Sequence, residues 1–362
     1  MQLDLPLGAN VQLVGSSEAS SILGITSFEL RKLTKMGKVS HTKSPTGRLL
    51  YDLKELEGIK AMVENDTTSP GILLGEEPVV SDRNTLNDLT GGQWLPETKS
   101  FFYQKGLGSK HPHAQIERQH PAPFSFQDVE HLITFFTKKG MSVLDPFGGV
   151  GSTAKACALE GRICTSIELQ ERWHQLALDR LEKEVAPGAS KAHNFIQGDT
   201  REVLKTFPPS SYDFIITSPP YWSILGKKAD HKVKKERIAY DLATKYSEID
   251  DALDLANIAS YEDFLNVLVK DVFFQCARVL KRKKYMAIIV SDFRHKSDFI
   301  SFHSDLIQRM NKQKTPDGFL LSLQGVKVLL QNHKTLLPYG YPFAYVENIH
   351  HQYVLIFRKE TK

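Results

Sequence analysis

The chain has 362 residues, 41% of them hydrophobic and 24% charged, which excludes a disordered or fibrous polymer and leaves room for one large core plus a small extra domain. Lys plus Arg outnumber Asp plus Glu only 46 to 42, too small an excess to point to nucleic acid by itself. No stretch reaches the roughly 20 apolar residues of a membrane span, the start MQLDLPLGAN lacks a secretory pattern, and Cys157, Cys164 and Cys276 form no C-x-x-C pair; a cytoplasmic protein without disulfides or a metal site is expected.

Residues 1–63 read as helix, turn, helix, hairpin, helix. Ser17 is expected to cap a short helix that Gly24 ends. Thr26 or Ser27 starts a second helix, with Phe28, Leu30, Leu33 and Met36 at helical spacing and Gly37 as its stop. The turn Ser44-Pro45-Thr46-Gly47 joins two short strand-like runs, and Asp52 caps a third helix. Residues 64–92, rich in Gly, Pro, Asp, Asn and Thr, read as a linker.

From residue 93 to 362 strand-like and helix-like segments alternate, as in a doubly wound α/β sheet. A helix is expected over 128–137 and strands over 143–145, 163–167, 194–197, 212–217, 285–291, 320–330 and 353–358. The basic run Lys281-Arg282-Lys283-Lys284 reads as a solvated loop. A second basic cluster, Lys227, Lys228, Lys232, Lys234, Lys235 and Arg237, falls in the segment 223–260 between two elements.

Two places carry chemistry. In the first, an apolar strand runs into Asp145-Pro146-Phe147-Gly148-Gly149-Val150-Gly151 and then a helix; glycines there let the backbone approach a ligand closely. Glu168 ends the next strand, about twenty residues on, where an acid can accept from ribose hydroxyls. Asp199 ends the third, where it can accept from an adenine amino group, and upstream His120-Pro121-Ala122-Pro123-Phe124-Ser125 gives an extended path with Phe124 able to pack on the ligand. No phosphate-cradling lysine follows the glycines, which disfavours an ATP site. In the second place, the apolar strand ending at Thr217 opens into Ser218-Pro219-Pro220-Tyr221-Trp222, whose prolines end the ladder and free the carbonyls of Ser218 and Pro219.

The pattern EASSILGITSFELRKLTKMGKVSHTKSPTGRLLYDLKEL resembles winged helix-turn-helix domains of the MerR and excisionase kind. That implies Arg31, Lys32 and Lys35 on a major-groove helix, with Lys43 and Arg48 serving on the wing. The set DPFGGVGST, IEL, QGD, HPAPFS and TSPPY resembles the amino-group DNA methyltransferases. The resemblance implies a mostly parallel, seven-stranded Rossmann-like sheet with an antiparallel last strand. It implies S-adenosylmethionine as cofactor, held by Asp145, Pro146, Phe147, Gly148, Gly149, Gly151, Glu168, Asp199, His120, Pro121, Phe124 and Thr217. It places catalysis on Ser218, Pro219, Pro220 and Tyr221, with the Ser218 hydroxyl and the Pro219 carbonyl accepting from an exocyclic amino group and Tyr221 offering a stacking ring.

The serine form of the last motif implies N4 of cytosine in double-stranded DNA, flipped out of the duplex, with N6 of adenine as the alternative. The lysines of 223–260 are then expected on phosphates. An RNA amino methyltransferase and a cofactor-sensing transcription regulator remain as other readings. No nuclease constellation is visible, so any partner restriction enzyme is expected as a separate chain.

Overall fold

The chain folds as two compact units, Met1–Ser81 and Asp82–Lys362. The computed structural model describes residues 12–35, 37–64, 80–104, 107, 111–120, 124–222, 252–332, 334 and 336–361. The basic cluster Lys227, Lys228, Lys232, Lys234, Lys235 and Arg237 and the residue Pro121 lie outside them.

The first unit runs β1 (Leu13–Gly15), α1 (Ser16–Leu23), α2 (Ser27–Lys35), β2 (Thr42–Lys43), β3 (Leu49–Asp52) and α3 (Leu53–Glu64). Gly15, not Ser17, occupies the N-cap of α1 and makes no side-chain cap. Thr26 and Glu29 cap α2 reciprocally: Thr26 Oγ1 accepts from the Glu29 amide at 3.2 Å and Glu29 Oε2 accepts from the Thr26 amide at 2.7 Å. The Asp52 carboxylate accepts from the Lys54 amide at 2.9 Å, as expected of a cap. The hairpin turn closes with Ser44 N donating to Arg48 O at 2.8 Å. Strand β1 was not expected; its antiparallel pairing gives the order β1-β3-β2. Leu30, Leu33, Tyr51 and Leu56 form the buried centre.

The second unit starts ten residues before the expected end of the linker. Asn87 is buried and its side-chain amide donates to Phe135 O at 2.6 Å, while Thr90 and Gln93 form a capping box on α4 (Gly91–Glu97). There follow β4 (Phe101–Tyr103), α5 (Phe126–Phe136), β5 (Ser142–Asp145), α6 (Ser152–Glu160), β6 (Ile163–Glu168), α7 (Glu171–Glu184), β7 (Asn194–Gln197), α8 (Thr200–Thr206) and β8 (Tyr212–Thr217). Then come α9 (Tyr261–Val267), a π turn (Leu268–Phe273), α10 (Phe274–Val279), β9 (Leu280–Val290), β10 (Phe293–His295), β11 (Asp298–Ile300), α11 (Phe302–Met310), β12 (Gln313–Lys314), β13 (Leu320–Leu330) and β14 (His351–Lys359).

Among the described residues the main sheet has nine strands, not seven. Its path is β12-β13-β14-β9-β8-β5-β6-β7, with β4 parallel to β13. The seven expected strands are all present, and β14 is antiparallel to both neighbours. The two additions, β4 and β12, are only three and two residues long, too short for a period-2 signal. Strand β9 begins at Leu280, so the basic run is not a solvated loop: Lys281 Nζ meets the Asp213 carboxylate at 2.9 Å. Along β8, Phe214 and Ile216 enter one core and Ile215 the other, so helices cover both faces of the sheet. The parallel strands β5, β6, β7, β8 and β9 bring their carboxyl ends to one edge, where ligands of such sheets bind.

Candidate active site

The glycine turn is fixed from behind by one carboxylate. Asp145, fully buried at the end of β5, accepts from Thr153 Oγ1 at 2.5 Å, from Thr217 Oγ1 at 2.7 Å and from the Phe147 amide at 3.1 Å. Burial pushes its carboxyl up to about 6, against the pull of those donors. It thereby ties the first turn of α6 and the end of β8 to the turn after β5. Asp145 and Thr217 were expected to hold cofactor, but neither lines the cleft; both act as positioning residues.

The glycines divide in the same way. A Cβ on Gly148 would stand 1.9 Å from Ser166 Oγ and 3.2 Å from Ser166 Cβ, so glycine lets the turn lie this close to β6 without displacing that side chain. Gly151, at φ +74°, sits behind the wall, where a Cβ would come within 2.9 Å of the Ala177 Cβ; its role is the close packing of α6 on α7. Gly149 lines the cleft and donates its amide to Glu168 Oε2 at 2.9 Å.

The cleft itself has an empty volume of about 880 Å³ including its mouth. Pro146, Phe147, Gly148 and Gly149 form one part of its lining, with His120, Phe124, Glu168, Asp199, Thr200 and Ser218–Pro220 around them. His120 is buried and set edge-on to Trp173, ring centroids 5.0 Å apart. Each Glu168 oxygen accepts one backbone amide, from Gly149 and from Gln170, both at 2.9 Å. Burial pushes this carboxyl up to about 7, and the Asp145 and Asp254 carboxylates push the same way. Asp199 caps α8 through the Arg201 amide at 2.9 Å, and the Arg201 guanidinium grips both its oxygens at 2.6–2.9 Å. Much of the capacity expected for an adenine amino group is therefore taken within the chain.

Three observations test the expected cofactor. The Thr200 hydroxyl, on a side chain 6% exposed in the cleft wall, has no hydrogen-bond partner among the described residues. The charged side chains of the described lining are all acidic, Glu168, Asp199 and Asp254, which favours a cationic ligand over a pyrophosphate. A Cβ on Gly149 would stand 3.6 Å from His120 Nε2 within the lining, so glycine there keeps that part of the wall free of a side chain. A sulfonium ligand with ribose hydroxyls and an adenine fits this lining, with Glu168 placed for the hydroxyls and Thr200 for a polar edge.

Glu168 gives a pH prediction. Hydroxyl donors favour the ionised carboxyl, so S-adenosylmethionine affinity should rise about tenfold from pH 6 to pH 8 as the group titrates through about 7. The same raised pKa makes the charge a cost to folding, so this residue's contribution to stability falls as pH rises from 4.5 through about 7. Calorimetric titration at pH 6, 7 and 8 checks the binding claim, and Glu168→Gln should weaken affinity and flatten the slope.

Strand β8 is buried along its whole length and delivers Ser218, Pro219 and Pro220 into the same cleft. Tyr221 turns away from it. Its hydroxyl accepts from the Ser291 amide at 2.9 Å, and its ring packs edge-on to Phe293 and Phe302, each at 6.0 Å. Burial pushes the phenol up to about 12. The stacking ring expected at Tyr221 is thus an anchor holding the segment to the end of β9. Trp222 is tied likewise: Nε1 donates to Ile258 O at 2.8 Å and the indole stacks on His295 at 4.4 Å.

Sequence reasoning missed the support behind the turn. Arg180, fully buried on α7, donates to Val150 O at 3.2 Å and Ser152 Oγ at 2.9 Å, and pairs with Glu117 at 2.7 Å and Glu184 at 3.0 Å. Lys155, also buried, meets Glu184 at 2.6 Å and lies over the Phe126 ring. The only signal was the Arg180–Glu184 spacing on one helix, which ordinarily marks an exposed pair. The three cysteines are buried, and burial pushes the Cys164 and Cys276 thiols up, the reverse of an activated nucleophile. No metal-binding cluster occurs among the described residues, and no helix among them is long and apolar enough to cross a membrane.

Comparison with known proteins bears on this geometry. Residues 76–179 match the N6_N4_Mtase family of DNA methylases. The YubD protein of Escherichia coli (strain K12), named as a methylase, is 41% identical over 64 residues, 18% of this chain and 28% of that one. The type II methyltransferase M.ScaI of Streptomyces caespitosus is 35% identical over 72 residues, 20% of this chain and 24% of that one. The aligned stretches thus cover under a third of either relative. Among solved structures, TrmN from Thermus thermophilus aligns over 69% of this chain and 52% of its own, at 18% identity and a TM-score of 0.38. Residues 76–179, which carry the glycine turn and Glu168, match the N6/N4 DNA methylase family, and the cofactor this assigns to the cleft is S-adenosylmethionine.

Proposed function

We propose that this protein methylates the exocyclic amino group of a base in DNA, with N4 of cytosine as the first-choice target. The observation that carries the reading is that Ser218–Pro220 share one cleft with Gly149 and Glu168. Bound S-adenosylmethionine supplies an electrophilic methyl group. The chain's own residues must then make a poor nucleophile competent, because the amino lone pair is delocalised into the ring. Ser218 Oγ and the Pro219 carbonyl are hydrogen-bond acceptors placed after the strand ladder ends. Accepting from the two amino hydrogens favours a pyramidal nitrogen, and these bonds strengthen as positive charge develops there. The anchoring of Tyr221 and Trp222 keeps the two acceptors in place.

The target must leave the duplex to reach such a cleft, at a cost of a few kcal/mol for unstacking. The first unit supports duplex DNA as substrate. Arg31, Lys32 and Lys35 are exposed on α2, and Lys43 and Arg48 are exposed on the hairpin. In this reading α2 enters a major groove, the hairpin touches the backbone, and the lysines of 223–260 contact phosphates.

Nucleoside mass spectrometry of DNA from a methylation-free host expressing this chain tests the proposal. N4-methylcytosine is the expected product. N6-methyladenine would overturn the choice of base, and unmodified DNA from a host making folded, cofactor-binding protein would overturn DNA as the substrate.

A further inference from the structure

The connection from β13 to β14 carries a feature that the proposed chemistry does not use. Tyr341, Phe343 and Tyr345 are exposed at 80%, 93% and 84%. Side chains of that size usually bury much of their surface, and three so close together form an apolar patch. The patch rests on a built turn. The amides of Phe343 and Ala344 both donate to Gly340 O, at 2.7 and 2.8 Å. Below them the Asn348 side chain accepts from the Leu337 amide at 2.9 Å and donates to the Leu337 carbonyl at 2.8 Å. Gln331 N donates to His350 O at 2.8 Å and closes the root. The rings are presented by a tied backbone.

That root lies beside the candidate catalytic segment. Strand β14 runs antiparallel to β9 with Tyr353 opposite Val290, so the turn leaves the sheet at the edge where β9 ends. There Ser291 donates its amide to Tyr221 Oη at 2.9 Å and its hydroxyl to His351 O at 3.2 Å. One residue therefore joins the Ser218–Trp222 segment to the strand that follows the aromatic turn.

The chemistry of the surface selects its occupant. From 336 to 346 no side chain carries a charge, so the turn offers ring faces and not phosphate contacts. Every unpaired base has a π face, and aromatic side chains in nucleic-acid-binding proteins stack on such faces with little regard to sequence. We propose that Tyr341, Phe343 and Tyr345 form a stacking surface for unpaired bases of the substrate, next to the nucleotide drawn into the cleft. This rests on the base-modifying reading above.

The test compares wild type with the triple variant Tyr341→Ala, Phe343→Ala, Tyr345→Ala in the full chain. Fluorescence anisotropy reads the affinity for a labelled single-stranded DNA and for its duplex. Calorimetry reads S-adenosylmethionine affinity, and label transfer reads methylation. The expected result is at least about a tenfold loss of single-stranded affinity with cofactor affinity unchanged. Wild type that methylates DNA, beside a variant that binds DNA equally well, overturns the stacking proposal alone. Wild type that binds cofactor but neither binds nor methylates DNA overturns both the proposal and the reading beneath it. Self-association lost in the variant, with DNA affinity kept, makes the turn a contact between copies and also overturns the stacking surface.

Discussion

Ser218→Ala is expected to lower kcat for methyl transfer by about 10²–10³-fold, the size of effect seen when a transition-state hydrogen-bond partner is removed. Substrate KM and S-adenosylmethionine affinity should stay within about twofold, because the lost bond strengthens only as charge develops on the amino nitrogen. Ser218 is half-buried at the mouth of β8, and the strand before it is buried throughout, so the substitution leaves no large cavity. Its hydroxyl also interacts with Tyr221 Oη, so an anchoring role has to be separated from a base-holding one. Tyr221→Phe makes that separation. It keeps the ring between Phe293 and Phe302 but removes the acceptor for the Ser291 amide. A mild loss in Tyr221→Phe beside a severe one in Ser218→Ala is the expected pattern in single-turnover kinetics.

Arg180→Met should produce the largest loss of stability, about 3–5 kcal/mol, as for a buried ion pair that loses one partner. Methionine fills much of the volume but leaves Glu117 and Glu184 without the guanidinium, and Val150 O and Ser152 Oγ without their donor. Burial already holds the Glu117 carboxyl above its ordinary range against the pull of Arg180. Without Arg180 it rises further, so the deficit should be smaller near pH 5 and larger near pH 8. Urea unfolding at both pH values checks the magnitude and the sign. Cofactor affinity should fall as well, because Arg180 grips the turn between Gly149 and α6 from behind.

Much of this architecture could be read in advance for a physical reason. The parallel strands β5, β6, β8 and β9 carry buried apolar runs bounded by turn residues, as strands covered on both faces must, and the antiparallel β14 carries an equally buried run at Val354–Phe357. The glycine turn, Glu168 and Ser218–Pro220 were legible because backbone approach and a broken ladder demand particular residue types. What spacing could not show was how each side chain spends its hydrogen bonds. Asp145 looks like a ligand contact by position, yet its oxygens serve Thr153, Thr217 and Phe147. Tyr221 looks like a stacking ring, yet a long-range bond to Ser291 turns it into the core. Arg180 lies in an ordinary-looking charged helix, and only the packing of α7 against the turn after β5 buries it. The burial of Asn87 in the supposed linker is a long-range event of the same kind.

The most direct test of the central claim is single-turnover transfer from S-adenosylmethionine carrying a labelled methyl group to duplex DNA, followed by digestion to nucleosides. The account predicts label on an exocyclic amino nitrogen, N4 of cytosine first, in wild type, and its near absence in Ser218→Ala protein that still binds the cofactor. Label at the wild-type rate in Ser218→Ala, or cofactor binding by wild type without any label in DNA, would contradict it.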